Sequence, residues 1–460
     1  MIHKYTLGGI NIVLDINSGG VHIFDELTFA MLDYIQPPLS GKCPDNVVKA
    51  LESEYTVDDI QRAYNELYEL YKSDSLFSSD DYRQFAADDA VLNAPIKAMC
   101  LHVAHDCNLR CSYCFASTGD FGGGRKIMDL ETGKRAIDYL LENSGSRRNL
   151  ELDFFGGEPL MNFDVVKEIV KYAREREKAY GKNFRFTITT NGVLLSDDKI
   201  DFINREMSNI VLSIDGRKSV NDRIRKCPNG SGSYDVIMEK FKKLAKSRGD
   251  KEYYVRGTFT KYNLDFASDV LHLFDEGFDQ ISIEPAVCDE DMDWAITSDD
   301  LPTIFAEYER LANEILQIRS EGEHINFFHF MIDLEQGPCA IKRLRGCGCG
   351  NEYIAVTPEG DIYPCHQFVG MEEWKMGNLD SGILDNKMKE YFAAANLYKK
   401  EGCSDCWAKF YCSGGCNANN HIYAGDVLKP YSLSCEMQKK RIECAIMVKA
   451  AMALSEQDGN

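Results

Sequence analysis

From about residue 96 to residue 284 the chain alternates short apolar runs with amphipathic stretches, and this restricts its fold more than any other feature. The runs Met99–Ala104, Leu150–Phe155, Arg185–Thr190, Asn209–Ile214, Tyr253–Phe259 and Gln280–Glu284 read as strands. Helical spacing fills the gaps at about 129–143, 162–180, 197–206, 233–247 and 263–276. Six βα units in succession predict an α/β fold with a parallel sheet, curled or doubly wound. In such sheets the reactive side chains gather at the carboxyl ends of the strands. The length of 460 residues suggests roughly three domains.

Directly after the first of these strands stands His105-Asp106-Cys107-Asn108-Leu109-Arg110-Cys111-Ser112-Tyr113-Cys114-Phe115. A [4Fe–4S] cluster ordinarily takes four thiolates. Cys107, Cys111 and Cys114 offer three, which leaves one iron open to a ligand that is not protein. A zinc site closes with four N or S ligands, and His105 stands where a fourth would come from, so the run by itself leaves zinc open. No apolar run reaches the span of a membrane, and Met1–Gly20 lacks a basic start followed by an apolar core, so a cytoplasmic protein is expected. In that setting 17 cysteines point to metal or cluster ligation rather than disulfides. A formal charge of −21 argues against nucleic acid as the partner.

Residues 1–90 read as a separate unit. Ile10–Asp15 and Val21–Asp25 are apolar-rich runs joined by Asn17-Ser18-Gly19-Gly20, a hairpin signal. Helices are expected over Thr28–Ile35, Pro44–Ser53 and Thr56–Lys72. The last opens with Thr56-Val57-Asp58-Asp59, a variant of the capping box, and carries the stripe Ile60, Tyr64, Leu67, Leu70, Tyr71. A sheet with three helices is the pattern of a winged helix. Residues 44–90 are too acidic for a nucleic-acid reader, whereas a spare sheet edge suits an extended peptide. Ser78–Pro95 is polar and acidic and reads as a linker.

At the second strand end comes Phe155-Gly156-Gly157-Glu158-Pro159, at the third Thr189-Thr190-Asn191-Gly192, and at the fourth Ser213-Ile214-Asp215-Gly216. Taken singly these are turn residues. Two glycines also let backbone approach a ligand, and a carboxylate accepts from an ammonium group. Together with the C-x3-C-x2-C triplet and its aromatic Tyr113, they resemble the radical S-adenosylmethionine (SAM) enzymes. The resemblance implies that Cys107, Cys111 and Cys114 hold a catalytic [4Fe–4S] cluster whose open iron chelates SAM. It implies that Gly156, Gly157 and Glu158 hold the methionine amino group. Thr190, Asn191, Ser213 and Asp215 would serve the ribose and methionine moieties, and Phe115 would pack near the adenine. Arg225 and Arg256 are further carboxylate partners.

Past residue 320 the chain reads as irregular and cysteine-rich. Gly360-x4-Cys365 precedes Cys403-x2-Cys406-x5-Cys412-x3-Cys416-x18-Cys435, a spacing poorly matched to two zinc ribbons. It resembles the SPASM extension of peptide-modifying radical SAM enzymes, which holds two auxiliary [4Fe–4S] clusters. The resemblance assigns Cys403, Cys406, Cys412 and Cys435 to the outer cluster. It assigns Cys365, Cys416 and an upstream cysteine to the inner one, with Cys347 preferred to Cys349; either Cys339 is its fourth ligand or the cluster keeps an open iron able to bind a substrate thiolate. Of the other cysteines, Cys43, Cys100, Cys227, Cys288 and Cys444 need no function. The expected architecture is therefore a winged-helix-like peptide-recognition unit (1–90), a partial (β/α)6 radical SAM barrel (91–320) and a SPASM domain (321–460).

Met1-Ile2-His3-Lys4-Tyr5, the Asn11–Asp15 strand, and the segments Gly346–Tyr353 and Pro364–Phe368 are similar to one subgroup, the SCIFF maturases, which act on ribosomal peptides with six cysteines in forty-five residues. By that resemblance the first unit captures the leader of a precursor peptide. The radical from SAM removes an α-hydrogen, a cysteine thiolate attacks the α-carbon, and the excess electron leaves through an auxiliary cluster, giving a Cys-to-Cα thioether. A flavodoxin or ferredoxin would supply electrons. Two other readings are a formylglycine-forming sulfatase maturase and a non-enzymatic metal-binding regulator.

Overall fold

The computed structural model describes residues 1–87, 94–334 and 340–458. The N-terminal unit is a three-stranded antiparallel sheet of β1 (Ile2–Leu7), β2 (Ile10–Asp15) and β3 (Val21–Ile23) under helices α1 (Glu26–Met31), α2 (Asp45–Leu51) and α3 (Val57–Lys72). β1 was not foreseen; Gly8-Gly9, both with positive φ, turn it onto β2. Helix α1 begins two residues before the expected Thr28, because Asp25 caps it by accepting from the Thr28 amide at 2.7 Å. Thr56 caps α3 through the Asp59 amide, and the Asp59 carboxylate takes the Thr56 hydroxyl at 2.6 Å.

Ser78–Pro95 is not a plain linker. Asp81–Ala87 forms a 3-10 helix, and residues 88–93 lie outside the described part. The fully buried Asp15 carboxylate accepts from the Ser78 amide and hydroxyl, and Asp80 accepts from Lys409 at 2.8 Å. Asp80, which looks like part of a solvated spacer in the sequence, is thus an anchor.

Among the described residues the main sheet has 12 strands. Its parallel part comprises β4 (Ala98–His105), β5 (Asn149–Gly156), β6 (Asn183–Thr190), β7 (Asn209–Ser213), β8 (Tyr254–Phe259), β9 (Gln280–Pro285) and β10 (Asn326–Phe327), each beside the next. Between them run α4 (Leu130–Glu142), α5 (Phe163–Tyr180), α6 (Asp197–Glu206), α7 (Tyr234–Ser247), α8 (Phe266–Asp275) and the unforeseen α9 (Leu301–Ser320). Along β5 and β6 residues alternate: Leu150, Leu152, Phe154 and Phe184, Phe186, Ile188 are buried against the helices. Their neighbours, Asp153 and Phe155 among them, point to the concave side.

The segment after 320 is more ordered than its sequence suggests. Strand β11 (Tyr353–Val356) pairs parallel with β4, so the C-terminal region continues the barrel sheet. Strands β12 (Asp361–Tyr363), β13 (Gly377–Asn378) and β14 (Gly382–Ile383) follow antiparallel. A final helix, α10 (Ser432–Asp458), runs 27 residues and packs on α9. β4, covered on one face by helices and on the other by this extension, is buried at all eight positions.

Candidate active site

The triplet loop leaves β4 at its carboxyl end and folds back against the end of β5. Gly156 (φ 126°) and Gly157 make that approach possible: a Cβ at either would lie 2.2 Å from the Ala104 or Asp106 carbonyl oxygen. Cys111 is held by antiparallel pairing of Arg110–Cys111 with Arg225–Lys226. The Cys107 sulfur accepts from the Leu109 amide at 3.4 Å and from Asn191 Nδ2 at 3.6 Å, and Asn191 also donates to Asn108 Oδ1 at 2.8 Å. The end of β6 is thereby tied to the triplet.

Glu158 is fully buried, yet its carboxylate accepts from Thr190 Oγ1 at 2.7 Å, from the Asn191 amide at 2.8 Å and from the Leu160 amide at 3.0 Å. Burial raises its pKa, and these three donors oppose the rise. The structure therefore brings Cys107, Glu158, Thr190 and Asn191 into one cradle at three neighbouring strand ends.

Asp215 stands differently. Its carboxylate accepts from the Tyr113 hydroxyl at 2.8 and 2.9 Å and from the Thr258 amide at 3.1 Å, and Arg225 donates to the same hydroxyl at 2.6 Å. Its polar capacity goes largely to fixing Tyr113, inside the triplet. Ser213 is half-buried beside Arg256 in the β7–β8 register, and Arg256 is bound to Glu284 at 2.6 Å. Phe115, 54 % exposed, stacks over Phe155 and meets Phe121 and His366 edge-on. Sequence reasoning missed the roles of Asn108 and of the Tyr113–Asp215–Arg225 chain. Tyr113 was visible as the aromatic before Cys114, but its partner lies 102 residues away.

Deeper on the concave side, Asp153 Oδ1 is buried with no hydrogen-bond partner, and burial pushes the carboxyl up to about 7. His102 Nδ1 lies 3.0 Å from His105 Nε2 behind the triplet, and burial holds the His105 imidazole down at about 4.

The second group of thiols lies across β11. Cys347, Cys349, Cys365 and Cys416 act on one another, and the Cys349 thiol donates to the Cys365 sulfur. Burial raises the former well above its ordinary value, and the received hydrogen bond lowers the latter. Of the two upstream candidates it is Cys349, not the preferred Cys347, that is hydrogen-bonded to Cys365, while Cys347 interacts with Cys365 through charge alone, and Cys339 lies outside the described residues. The third group is Cys403, Cys406, Cys412 and Cys435, the last on the first turn of α10. A cavity of about 540 Å³ is lined by Cys347 and Cys416 of one group, by Cys412 and Cys435 of the other, and by Glu284 and Arg441.

The donor chemistry fits iron–sulfur clusters. Burial lifts Cys107 and Cys403 to about 12, and Cys111, Cys416 and Cys435 to about 11. Thiolates persist at such sites when a metal centre compensates their charge. Among the described residues no three His, Cys, Asp or Glu side chains converge tightly enough to hold one metal ion.

The radical SAM superfamily matches residues 101–264, and the SPASM iron–sulfur cluster-binding domain matches residues 347–407. A cysteine-type anaerobic sulfatase-maturating enzyme of Clostridium novyi is 24% identical over 330 residues, 68% of this chain and 86% of that enzyme. The solved structure of native anSMEcpe with bound AdoMet superposes with a TM-score of 0.65 at 18% identity, over 78% of this chain and 99% of that one. SuiB of Streptococcus suis, solved with its precursor peptide SuiA, superposes at 0.51 and 17% identity over 94% of this chain and 98% of that one. The chain thus carries a radical SAM unit followed by a SPASM unit in a fold shared with these enzymes. SAM and several [4Fe–4S] clusters are its cofactors. No helix among the described residues is long and apolar enough to cross a membrane.

Proposed function

We propose that this radical SAM enzyme installs Cys-to-Cα thioether bonds in a ribosomally made, cysteine-rich precursor peptide. Cys107, Cys111 and Cys114 would hold the SAM-binding cluster, with Glu158, Thr190 and Asn191 cradling SAM. Cys403, Cys406, Cys412 and Cys435 would hold the outer auxiliary cluster. Cys365 and Cys416 would hold the inner one with Cys347, Cys349 or both. SAM and the first cluster, held by Cys107, Cys111, Cys114, Glu158, Thr190 and Asn191, would supply the one-electron radical chemistry needed to remove a hydrogen from the peptide. A flavodoxin or ferredoxin would serve as electron donor. The unit borders are proposed at residues 90 and 320.

The observation that carries a peptide substrate is the N-terminal unit. The likeness to SuiB covers so much of this chain that it must extend into residues 1–90. SuiB is a protein solved with a precursor peptide, and by analogy the edge of β3 would take the leader of this enzyme's substrate. A cavity between α1 and α3, about 520 Å³, is lined by Asp25, Glu26, Asp59 and Glu66, with Arg62 already bound to Asp59. Such a wall suits a leader rich in Lys or Arg. A second reading, formylglycine formation in a sulfatase, draws on the likeness to the Clostridium novyi enzyme.

The test is a mass measurement on a six-cysteine precursor peptide incubated with reconstituted enzyme, SAM and reductant. The expected product has lost two hydrogens per bond, and the modified cysteines resist alkylation. An unchanged peptide mass while 5′-deoxyadenosine accumulates would rule out thioether formation on that peptide. Oxidation of a Cys or Ser in a sulfatase peptide would favour the second reading.

A further inference from the structure

Lys400 buries an amine where nothing ordinary supports its charge, and burial lowers its pKa. It is 3% exposed. Its ammonium donates to the Gly414 carbonyl at 2.9 Å and to Asn417 Oδ1 at 2.7 Å. Both acceptors are neutral, and no carboxylate among the described residues forms an ion pair with it. Burying a cation without an anion costs several kcal/mol. The fold nevertheless makes room for it: a Cβ at Gly414 would come within 2.5 Å of Lys400 Cδ. Lys409, also buried, shows the usual solution, an ion pair with Asp80 at 2.8 Å.

The position of Lys400 identifies the missing anion. Its carbonyl accepts the amide of Cys403 at 3.2 Å, and Asn417, which takes its ammonium, directly follows Cys416. The side chain therefore runs from the outer cysteine group to the inner one. The groups whose negative charge, as cluster-bound thiolates, would act on it are Cys403 and Cys412 of the outer group and Cys347 and Cys416 of the inner group.

We propose that Lys400 is the shared counter-ion of the two auxiliary clusters and that its fixed charge raises both of their reduction potentials. This rests on the reading of the two cysteine groups as cluster ligands. Each one-electron reduction adds one negative charge and breaks no bond, and a cation held nearby in a water-poor interior stabilises the reduced form. Lying between both sites, one ammonium favours an electron on either, so an electron arriving at the inner cluster can move outward without leaving its field.

The test is a mediated redox titration followed by electron paramagnetic resonance on the full-length, anaerobically reconstituted protein, with iron and sulfide counted in each sample. SAM addition identifies the signal of the SAM-binding cluster. In the iron-replete Lys400→Met and Lys400→Gln proteins, both auxiliary midpoints should fall by about the 59 mV that corresponds to a tenfold change in a one-electron equilibrium. The SAM-binding cluster should not move, and Lys400→Arg should keep the native midpoints. Unmoved midpoints in a protein with all three clusters, about twelve irons at four per cluster, would overturn the proposal, as would a shift of only one. If both neutral variants fail to load iron, loading of Lys400→Arg with native midpoints supports the charge requirement, and failure of Lys400→Arg as well overturns it. A wild type holding only about four irons would instead overturn the cluster reading underneath.

Discussion

Glu158 is a buried carboxylate with three donors already in place, so its arrangement precedes any ligand. Such pre-positioning means that little reorganisation is needed when an ammonium group arrives. In Glu158→Gln the amide group would replace one acceptor by a donor facing the Asn191 amide or the Thr190 hydroxyl. A buried donor left without an acceptor costs about 1–3 kcal/mol. Calorimetric titration with SAM should show affinity weakened by about tenfold or more, tenfold being 1.4 kcal/mol, while iron content stays at the wild-type level. Unchanged affinity would overturn the proposed role of Glu158 in binding SAM. At this scale, what the sequence makes legible is whatever depends on spacing along the chain: three thiols within eight residues, or a Gly-Gly-Glu after a strand. The Tyr113–Asp215–Arg225 chain and the Cys349–Cys365 contact are illegible, because each joins residues whose nearness is set by the sheet and not by the backbone between them.

The barrel strands are readable because their alternation is a direct imprint of two different faces, helices outside and a polar cavity within. The expected Arg185–Thr190 and Gln280–Glu284 lie within the observed β6 and β9. Helix α10 leaves no such imprint. Cys444, Ala445, Ile446, Met447 and Val448 are all buried in succession, so the helix is packed on most sides and shows no single apolar stripe. It also supplies Arg441, which donates to His329 Nδ1 at 3.0 Å beside β9. Since the guanidinium can only donate, this imidazole nitrogen must be an acceptor, leaving Nε2–H for Ser282 Oγ at 3.2 Å. Burial foremost, then Arg441 and Arg256, hold the His329 pKa at about 3 against 6.5, with Glu284 opposing. Between those values the unfolded chain binds a proton that the folded chain refuses, so stability falls as pH drops below 6.5. From pH 6.5 to 5 the wild type should lose about 1.6 kcal/mol more than His329→Gln. Denaturant unfolding of both proteins at the two pH values measures this difference, and parallel losses would show that His329 is charged in the folded state.

On the scale of the whole molecule, the N-terminal unit is built into the enzyme rather than hung from it. Val13 points into the unit's own core with Leu27, Tyr64 and Leu67, while its neighbours Ile12 and Leu14 join the core that continues through the barrel to α10. His3 stacks on Trp407 with ring centroids 3.8 Å apart and meets Glu443 at 2.9 Å, and the Tyr5 hydroxyl donates to the Glu443 carbonyl at 3.1 Å. None of this is visible in the sequence, where β2 reads as one apolar run with no sign that its two faces serve different cores. A leader bound on the β3 edge would thus act on a unit that shares α10 with the outer cysteine group. Ile12→Ala and Leu67→Ala each delete a fully buried aliphatic side chain, a change that costs about 2–5 kcal/mol. Their reach should differ. By hydrogen exchange, Leu67→Ala should raise rates in β1–β3 and α1–α3 alone, because its cavity lies within the local core. Ile12→Ala should raise them there and also in α10, because it loosens the joint between the two cores. Exchange in α10 that is indifferent to Ile12→Ala would mean that the N-terminal unit opens independently, and that leader binding has no packed route to the C-terminal cysteine groups.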